Sequence, residues 1–307
     1  MVSRIEKSIL SADGIHQLAG TVYLPAGEPV GIFHMVHGMV EHKERYDELL
    51  TQIAACGWVC LAFDNLGHGA SVSDESELGF IAEREGWKLL CEDVYAFGNE
   101  MKRVYGDLPY VLAGHSMGSF IVRLTASRFP DLCGKLLVIG TGSKHPAAPL
   151  GLVMLVGIIR KEGERSYSDF AEKLSIGGYN DSFKNEEDAL SWLNTLKTER
   201  DIYRADKLCT FRFTVSAMRD LVALNIACNS RHCFKNIKKD LPILMLSGAE
   251  DPVGEHGIGV WKVYRSFVKT GHTNVRIKLY RGCRHEIMHD VCKEEFTEDI
   301  LRFIGAR

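Results

Sequence analysis

Six stretches of this chain are apolar almost from end to end, and segments of helical periodicity alternate with them. The runs are VGIFHMVH (30–37), GWVCLAFD (57–64), LPYVLAGHS (108–116), KLLVIG (135–140), LPILMLSG (241–248) and NVRIKLY (274–280). A strand with one wet face alternates apolar and polar residues, whereas a strand covered on both faces reads as a continuous apolar run. Helical spacing falls at 43–56, 85–105, 117–129, 257–270 and 290–304. The alternation predicts an α/β fold on a mainly parallel sheet flanked by helices. Ahead of it, RIEKSIL and HQLAGTVYLP alternate in polarity around Asp13–Gly14 and read as an opening pair of strands. In such sheets ligands collect at the carboxyl ends of the strands, so a site is to be sought there.

One interval breaks the rhythm. From Thr141 to about Lys239 no buried strand stands out, and helical or irregular segments fill the space. A structureless loop of that length is implausible. Residues 141–239 are therefore expected to form an inserted helical cap, with 1–140 and 240–307 as the core. The cap opens with APLGLVMLVGIIR, too short to cross a bilayer. Two readings stand for it: a helix packed into the insertion's own core, or an apolar face turned to a greasy substrate or, as a peripheral contact, to a membrane surface.

With 307 residues, 46% of them hydrophobic, and a net charge of -3, the chain offers no electrostatic reason for a nucleic-acid partner. Nine cysteines without a C-x-x-C pair predict free thiols in a reducing compartment, not disulfides or a zinc site. The start, MVSRIEKSILSADG, is charged where a secretory signal needs its apolar stretch, so a cytoplasmic location is expected.

Within VLAGHSMGSF (111–120) a strand runs into a helix through a serine boxed by glycines. A plain strand-to-helix turn would read this way, and so would a nucleophile elbow, whose sharp turn lifts the hydroxyl above the sheet. A serine hydroxyl is a poor nucleophile unless a base takes its proton and a carboxylate orients that base. Asp251, in AEDPVG, follows one buried run, and His285, in RGCRHEIMHD, follows the last. Ser116, Asp251 and His285 thus fall in chain order at strand carboxyl ends, the order expected of elbow hydrolases. Glu250, His289 and His272 are the competitors; His272 precedes its strand and so lies on the opposite edge of the sheet. In HMVHGMVEH (34–42), a strand ending in His-Gly can aim the backbone N–H of Met39 at the elbow, beside that of Met117, as an oxyanion hole. The glycine-rich FDNLGHGAS (63–71) lacks the lysine and spacing of a phosphate loop and reads as a structural turn near the site.

The pieces HGMVEHKERY, FDNLGHGAS, GHSMGS, LSGAEDPVG and GCRHE, in this order, resemble the α/β-hydrolases of the monoacylglycerol lipase and lysophospholipase type, related to the serine aminopeptidase-like hydrolases. The resemblance implies an eight-stranded sheet, a triad of Ser116, Asp251 and His285, and Met39 and Met117 as oxyanion donors. It also implies that Glu41 and Arg45 organise the polar side of the site. Gly38 and His115, next in the chain to Met39 and Ser116, complete the substrate-binding candidates. Two departures stand out. Asn65 occupies the place of a common family histidine, and Met288 the place of a second histidine that meets the glycerol head group. The expected activity is hydrolysis of a monoacyl lipid or similar small ester through an acyl-enzyme, with no metal or organic cofactor. The alternatives are a serine peptidase or amidase of the same fold, or a catalytically silent binding relative.

Overall fold

The computed structural model describes residues 1–306, with the backbone alone for Leu174, Ser175 and Ile176. All eight expected strands form: β1 (Ser3–Leu10), β2 (Gln17–Leu24), β3 (Gly31–Val36), β4 (Trp58–Phe63), β5 (Tyr110–His115), β6 (Lys135–Ile139), β7 (Ile243–Gly248) and β8 (Val275–Tyr280). They make one sheet in the order β1-β2-β4-β3-β5-β6-β7-β8. The hairpin β1–β2 joins β4 antiparallel, and every pairing from β4 to β8 is parallel. Strands β3, β4, β5 and β7 are buried along their whole length, which is why they read as unbroken apolar runs.

Helices cover both faces. On one side, α1 (Asp47–Ala55) and α10 (Lys293–Ile304) pack Leu50, Ile53, Phe296 and Ile300 onto Phe33, Cys60 and Leu137. On the other, α2 (Gly86–Tyr105), α3 (Met117–Arg128) and α9 (Ile258–Lys269) pack Phe97, Ile121 and Phe267 onto Val36, Leu112 and Met245. The interval between β6 and β7 holds no strand among the described residues. Its main helices are α4 (Ala148–Glu162), α5 (Asp169–Ile176), α6 (Lys197–Ala205), α7 (Val215–Cys228) and α8 (Arg231–Asn236). Helix α7 lies against α2, α3 and α4, and α8 lies against α3. The apolar side chains of this stretch, Leu155, Phe213 and Leu224 among them, join the same cluster that holds α2 and α3 to the sheet.

Helix α4 packs one face into the cluster it shares with α2 and α3, not into a core of the insertion's own, and turns the other outward. Ala148, Gly151 and Leu155 are buried, whereas Leu150 and Val153 are 65% and 68% exposed. Leu155→Asp would place an unpaired carboxylate in a fully buried position and is expected to lower the melting temperature by several degrees or more. Val153→Asp, two residues away, should shift it hardly at all; equal melts for the two variants would contradict this packing.

Candidate active site

Ser116 sits between the end of β5 and the first turn of α3 with φ +53° and ψ -120°. A non-glycine residue held at positive φ stores about 1–3 kcal/mol of strain, tolerated where the surroundings over-determine it. Here both neighbouring glycines are sterically required. A Cβ on Gly114 would strike the Gly118 carbonyl, and one on Gly118 would strike the Val36 carbonyl of the adjacent strand. The turn is pinned by the Ser116 N–H donating to the Ile139 carbonyl at 3.0 Å and by the Ser119 hydroxyl donating to the Ser116 carbonyl at 2.6 Å.

Asp251 and His285 come from the loops after β7 and β8 and are 0% and 3% exposed. His285 Nδ1 and Asp251 Oδ2 lie 3.0 Å apart. Asp251 also accepts from the Val253 N–H at 2.9 Å and the Ser247 hydroxyl at 3.2 Å. Burial opposes its ionisation, but the His285 imidazole and the Val253 amide outweigh it, holding the Asp251 pKa below the ordinary carboxylate value. The other candidates lie elsewhere: Glu250 is exposed, and His272 is buried against the Phe267 carbonyl, 3.0 Å from its Nδ1. His289 lies in the turn before α10, facing Arg45 and Lys293 across a small cleft.

Ser116, His285, Met39 and Met117 line one cavity of about 440 Å³. A Cβ on Gly38 would come within 2.8 Å of the Ser116 Cβ, so the Gly38–Met39 turn lies directly against the serine. Met117 begins α3, where backbone N–H groups lack intrahelical acceptors. The glycine-rich turn after β4 buttresses this arrangement. The Asp64 carboxylate accepts from the Lys43 and Ala70 N–H groups at 2.8 and 2.9 Å. Asn65, at the departure from the family pattern, donates its N–H to His37 Nε2 at 2.9 Å and its side-chain amide to the His37 carbonyl at 3.2 Å. Burial drives the His37 pKa down to about 4, so this imidazole is a neutral structural acceptor.

Beside the serine lies a buried polar network. Glu41 accepts from the Gly38 N–H at 2.5 Å and the Tyr46 hydroxyl at 2.9 Å, and meets His115 Nδ1 at 3.0 Å. Burial disfavours its charge, yet His115, His37 and Arg45 hold its pKa well below the usual range. His115 is shifted the opposite way: burial lowers its pKa, but Glu41 raises it more. Arg45 donates to Glu286 at 2.6 Å and stands 3.9 Å from Glu41. Of the four expected substrate-binding residues, Gly38 lies against the serine, Glu41 and His115 line its cavity, and Arg45 stands behind them, reaching the cavity only through Glu41 and Glu286.

The roof comes from the insertion. Tyr179, Trp192 and Tyr203 line the cavity; Trp192 packs 5.3 Å from the His285 ring, and the Tyr203 hydroxyl donates to the Val40 carbonyl at 2.8 Å. Sequence reasoning missed all three, and also Glu286, although Glu286 adjoins His285 in the chain. Phe120, Tyr179, Leu221 and Val253 line both this cavity and a second of about 350 Å³ beneath the start of α4. Among the described residues, His42, Asp206 and Cys209 alone bring three metal-binding side chains within 4.8 Å of one another. His42 is engaged there on both nitrogens, by Glu44 at 2.6 Å and Asp206 at 2.8 Å, and joins the loop beside the serine to the insertion.

A family model described as Serine aminopeptidase, S33 (Hydrolase_4) matches residues 27–291. Human monoglyceride lipase is 26% identical over 300 residues, which span 97% of this chain and 88% of that protein. A thermostable carboxyl esterase from Bacillus coagulans, solved in complex with glycerol, is similar with a TM-score of 0.93 and 28% identity, covering 99% of this chain and 98% of its own. A lipase in an open form gives a TM-score of 0.91 at 23% identity, covering 99% and 98%. A match running from residue 27 to residue 291, across sheet and insertion alike, shows that this chain belongs to the serine aminopeptidase S33 family of hydrolases.

Proposed function

We propose that the protein is a serine ester hydrolase acting on monoacyl lipids or similar carboxylic esters. The observation that carries this reading is the 3.0 Å contact of the buried Asp251 with His285, which lines the same cavity as Ser116 at its strained turn. In this reading Ser116 attacks the acyl carbonyl as His285 takes its proton, and Asp251 fixes the imidazole tautomer. The N–H groups of Met39 and Met117 hold the oxyanion. His285 then protonates the leaving alcohol, and water releases the acyl group by the same steps in reverse. The names of the relatives, monoglyceride lipase and carboxyl esterase, favour an ester over an amide. Assays on monoacylglycerols, lysophospholipids, short aryl esters and aminoacyl amides test it; turnover confined to the amides would replace it with the peptidase reading.

The acyl chain extends from the serine past Phe120 and Leu221 into the second cavity, whose walls include Ala147, Ala148 and Gly151 of α4. Each methylene buried contributes about 0.8 kcal/mol, so kcat/KM should rise steeply from acetate towards laurate. Ala148→Phe, which would fill this chamber, is expected to cut the laurate-to-acetate ratio about fivefold or more. A flat chain-length profile for the unsubstituted enzyme would remove the acyl-channel assignment. No helix among the described residues is long and apolar enough to cross a membrane. The outward Leu150, Val153 and Met154 of α4 are the surface through which the cap would touch lipid.

A further inference from the structure

Where the insertion meets the loop after β3, side chains from distant parts of the chain bring together nitrogen, oxygen and sulfur donors. His42 Nε2 lies 2.8 Å from Asp206 Oδ2, and the Cys209 thiol completes a group whose ligand atoms all lie within 4.8 Å of one another. His42 and Cys209 are only 7% and 2% exposed, and Asp206 is half-buried. Two further features match what metal ligands need. A coordinating imidazole is usually oriented by a carboxylate on its other nitrogen, and a coordinating carboxylate is itself hydrogen-bonded. His42 Nδ1 meets Glu44 Oε2 at 2.6 Å, and Asp206 Oδ1 accepts from the Leu208 N–H at 2.8 Å, which leaves Oδ2 to the cluster. The buried Cys209 sulfur makes no hydrogen bond among the described residues, so no other group claims it.

We propose that His42 Nε2, Asp206 Oδ2 and Cys209 Sγ form a site for a divalent cation of the zinc class, which staples the insertion to the loop carrying Met39. Imidazole, carboxylate and thiolate together suit Zn²⁺, whereas Mg²⁺ and Ca²⁺ call for oxygen ligands throughout. Three protein ligands leave one tetrahedral position for water. Cys209 also lines the catalytic cavity, which gives an ion its way in. On binding, the ion takes the place of the thiol proton and of the proton between His42 and Asp206, and both protons pass to solvent. Ligand atoms around one tetrahedral zinc stand about 3.3–3.7 Å apart, so Asp206 draws back from His42 by about half an ångström. None of the three residues belongs to the proposed triad, and the site stands apart from the reaction at Ser116.

The test titrates the full chain, without a histidine tag, with Zn²⁺ and with Co²⁺ as its spectroscopic substitute. One equivalent of Co²⁺ should give the visible absorption of a tetrahedral ion and the near-ultraviolet band of a cobalt–thiolate bond, and Zn²⁺ should displace both. Cys209→Ser should remove the thiolate band. Glu44→Gln leaves all three ligands but loosens the hold on His42, and should weaken zinc binding about tenfold or more. Saturating Zn²⁺ should raise the wild-type Tm by a few degrees and leave that of Cys209→Ser unchanged. Cys56→Ser, at the half-buried thiol after α1, is the control and should keep both bands. A thiolate band that survives Cys209→Ser, or that disappears with Cys56→Ser, overturns the site. If Cys209→Ser does not fold, Asp206→Asn, which keeps an acceptor for Leu208, takes its place, and unchanged zinc affinity overturns the site. Failure of the wild-type chain to bind either ion does the same.

Discussion

Ser116→Ala is expected to lower ester turnover by about 10⁴- to 10⁶-fold and to abolish labelling by a fluorophosphonate, with the fold unchanged. The reason for expecting intact folding is specific. The turn at 116 depends on Gly114 and Gly118, whose positions admit no Cβ, and on backbone contacts of Ser116 to Ile139 and Ser119. None of these uses the Ser116 hydroxyl, and alanine tolerates positive φ no worse than serine. The loss would therefore report chemistry alone. A variant keeping more than about a tenth of wild-type turnover would show that the elbow is only a turn.

The second large effect separates His285 and Asp251 from their neighbours. His285→Ala removes the base and should cost a factor similar to that of Ser116→Ala. Asp251→Asn keeps the side-chain shape but lets the amide favour the wrong imidazole tautomer, for a loss on the order of 10⁴. The controls are Glu250→Gln and His289→Ala, each expected to stay within about tenfold of wild type. Glu250 is exposed and His289 faces the cleft beside Arg45. Kinetics on the four purified variants check this. An inactive His289→Ala beside an active His285→Ala would reverse the assignment of the base.

Much of the architecture was legible because burial on both faces leaves a plain mark in composition. Runs such as GWVCLAFD and LPILMLSG admit little but a central strand, and each forms one, β4 and β7. Ser116, Asp251 and His285 were legible for a related reason: each follows a recognisable strand, so their shared rim could be read from chain order. The strand order itself was not legible. Nothing in the residues of β2 announces that it lies antiparallel beside β4 while β4 pairs parallel with β3.

The roof of the site illustrates the other limit. Tyr179 and Trp192 lie in turns of the insertion, where no period of 2 or 3.6 marks an inward face, and Tyr203 lies near the end of the short helix α6. Glu286 was equally unreadable, since its partner Arg45 lies 241 residues away and only the packed structure leaves one carboxylate oxygen without a donor. By itself the sequence determined the α/β class, the strands, and the chain order of serine, acid and histidine, because those depend on local periodicity and on which residues avoid water. The tertiary structure alone decided which polar groups face one another across the cavity. A hydrogen bond between loops on different strands depends on sheet order and packing, and neither leaves a trace in the residues that form it.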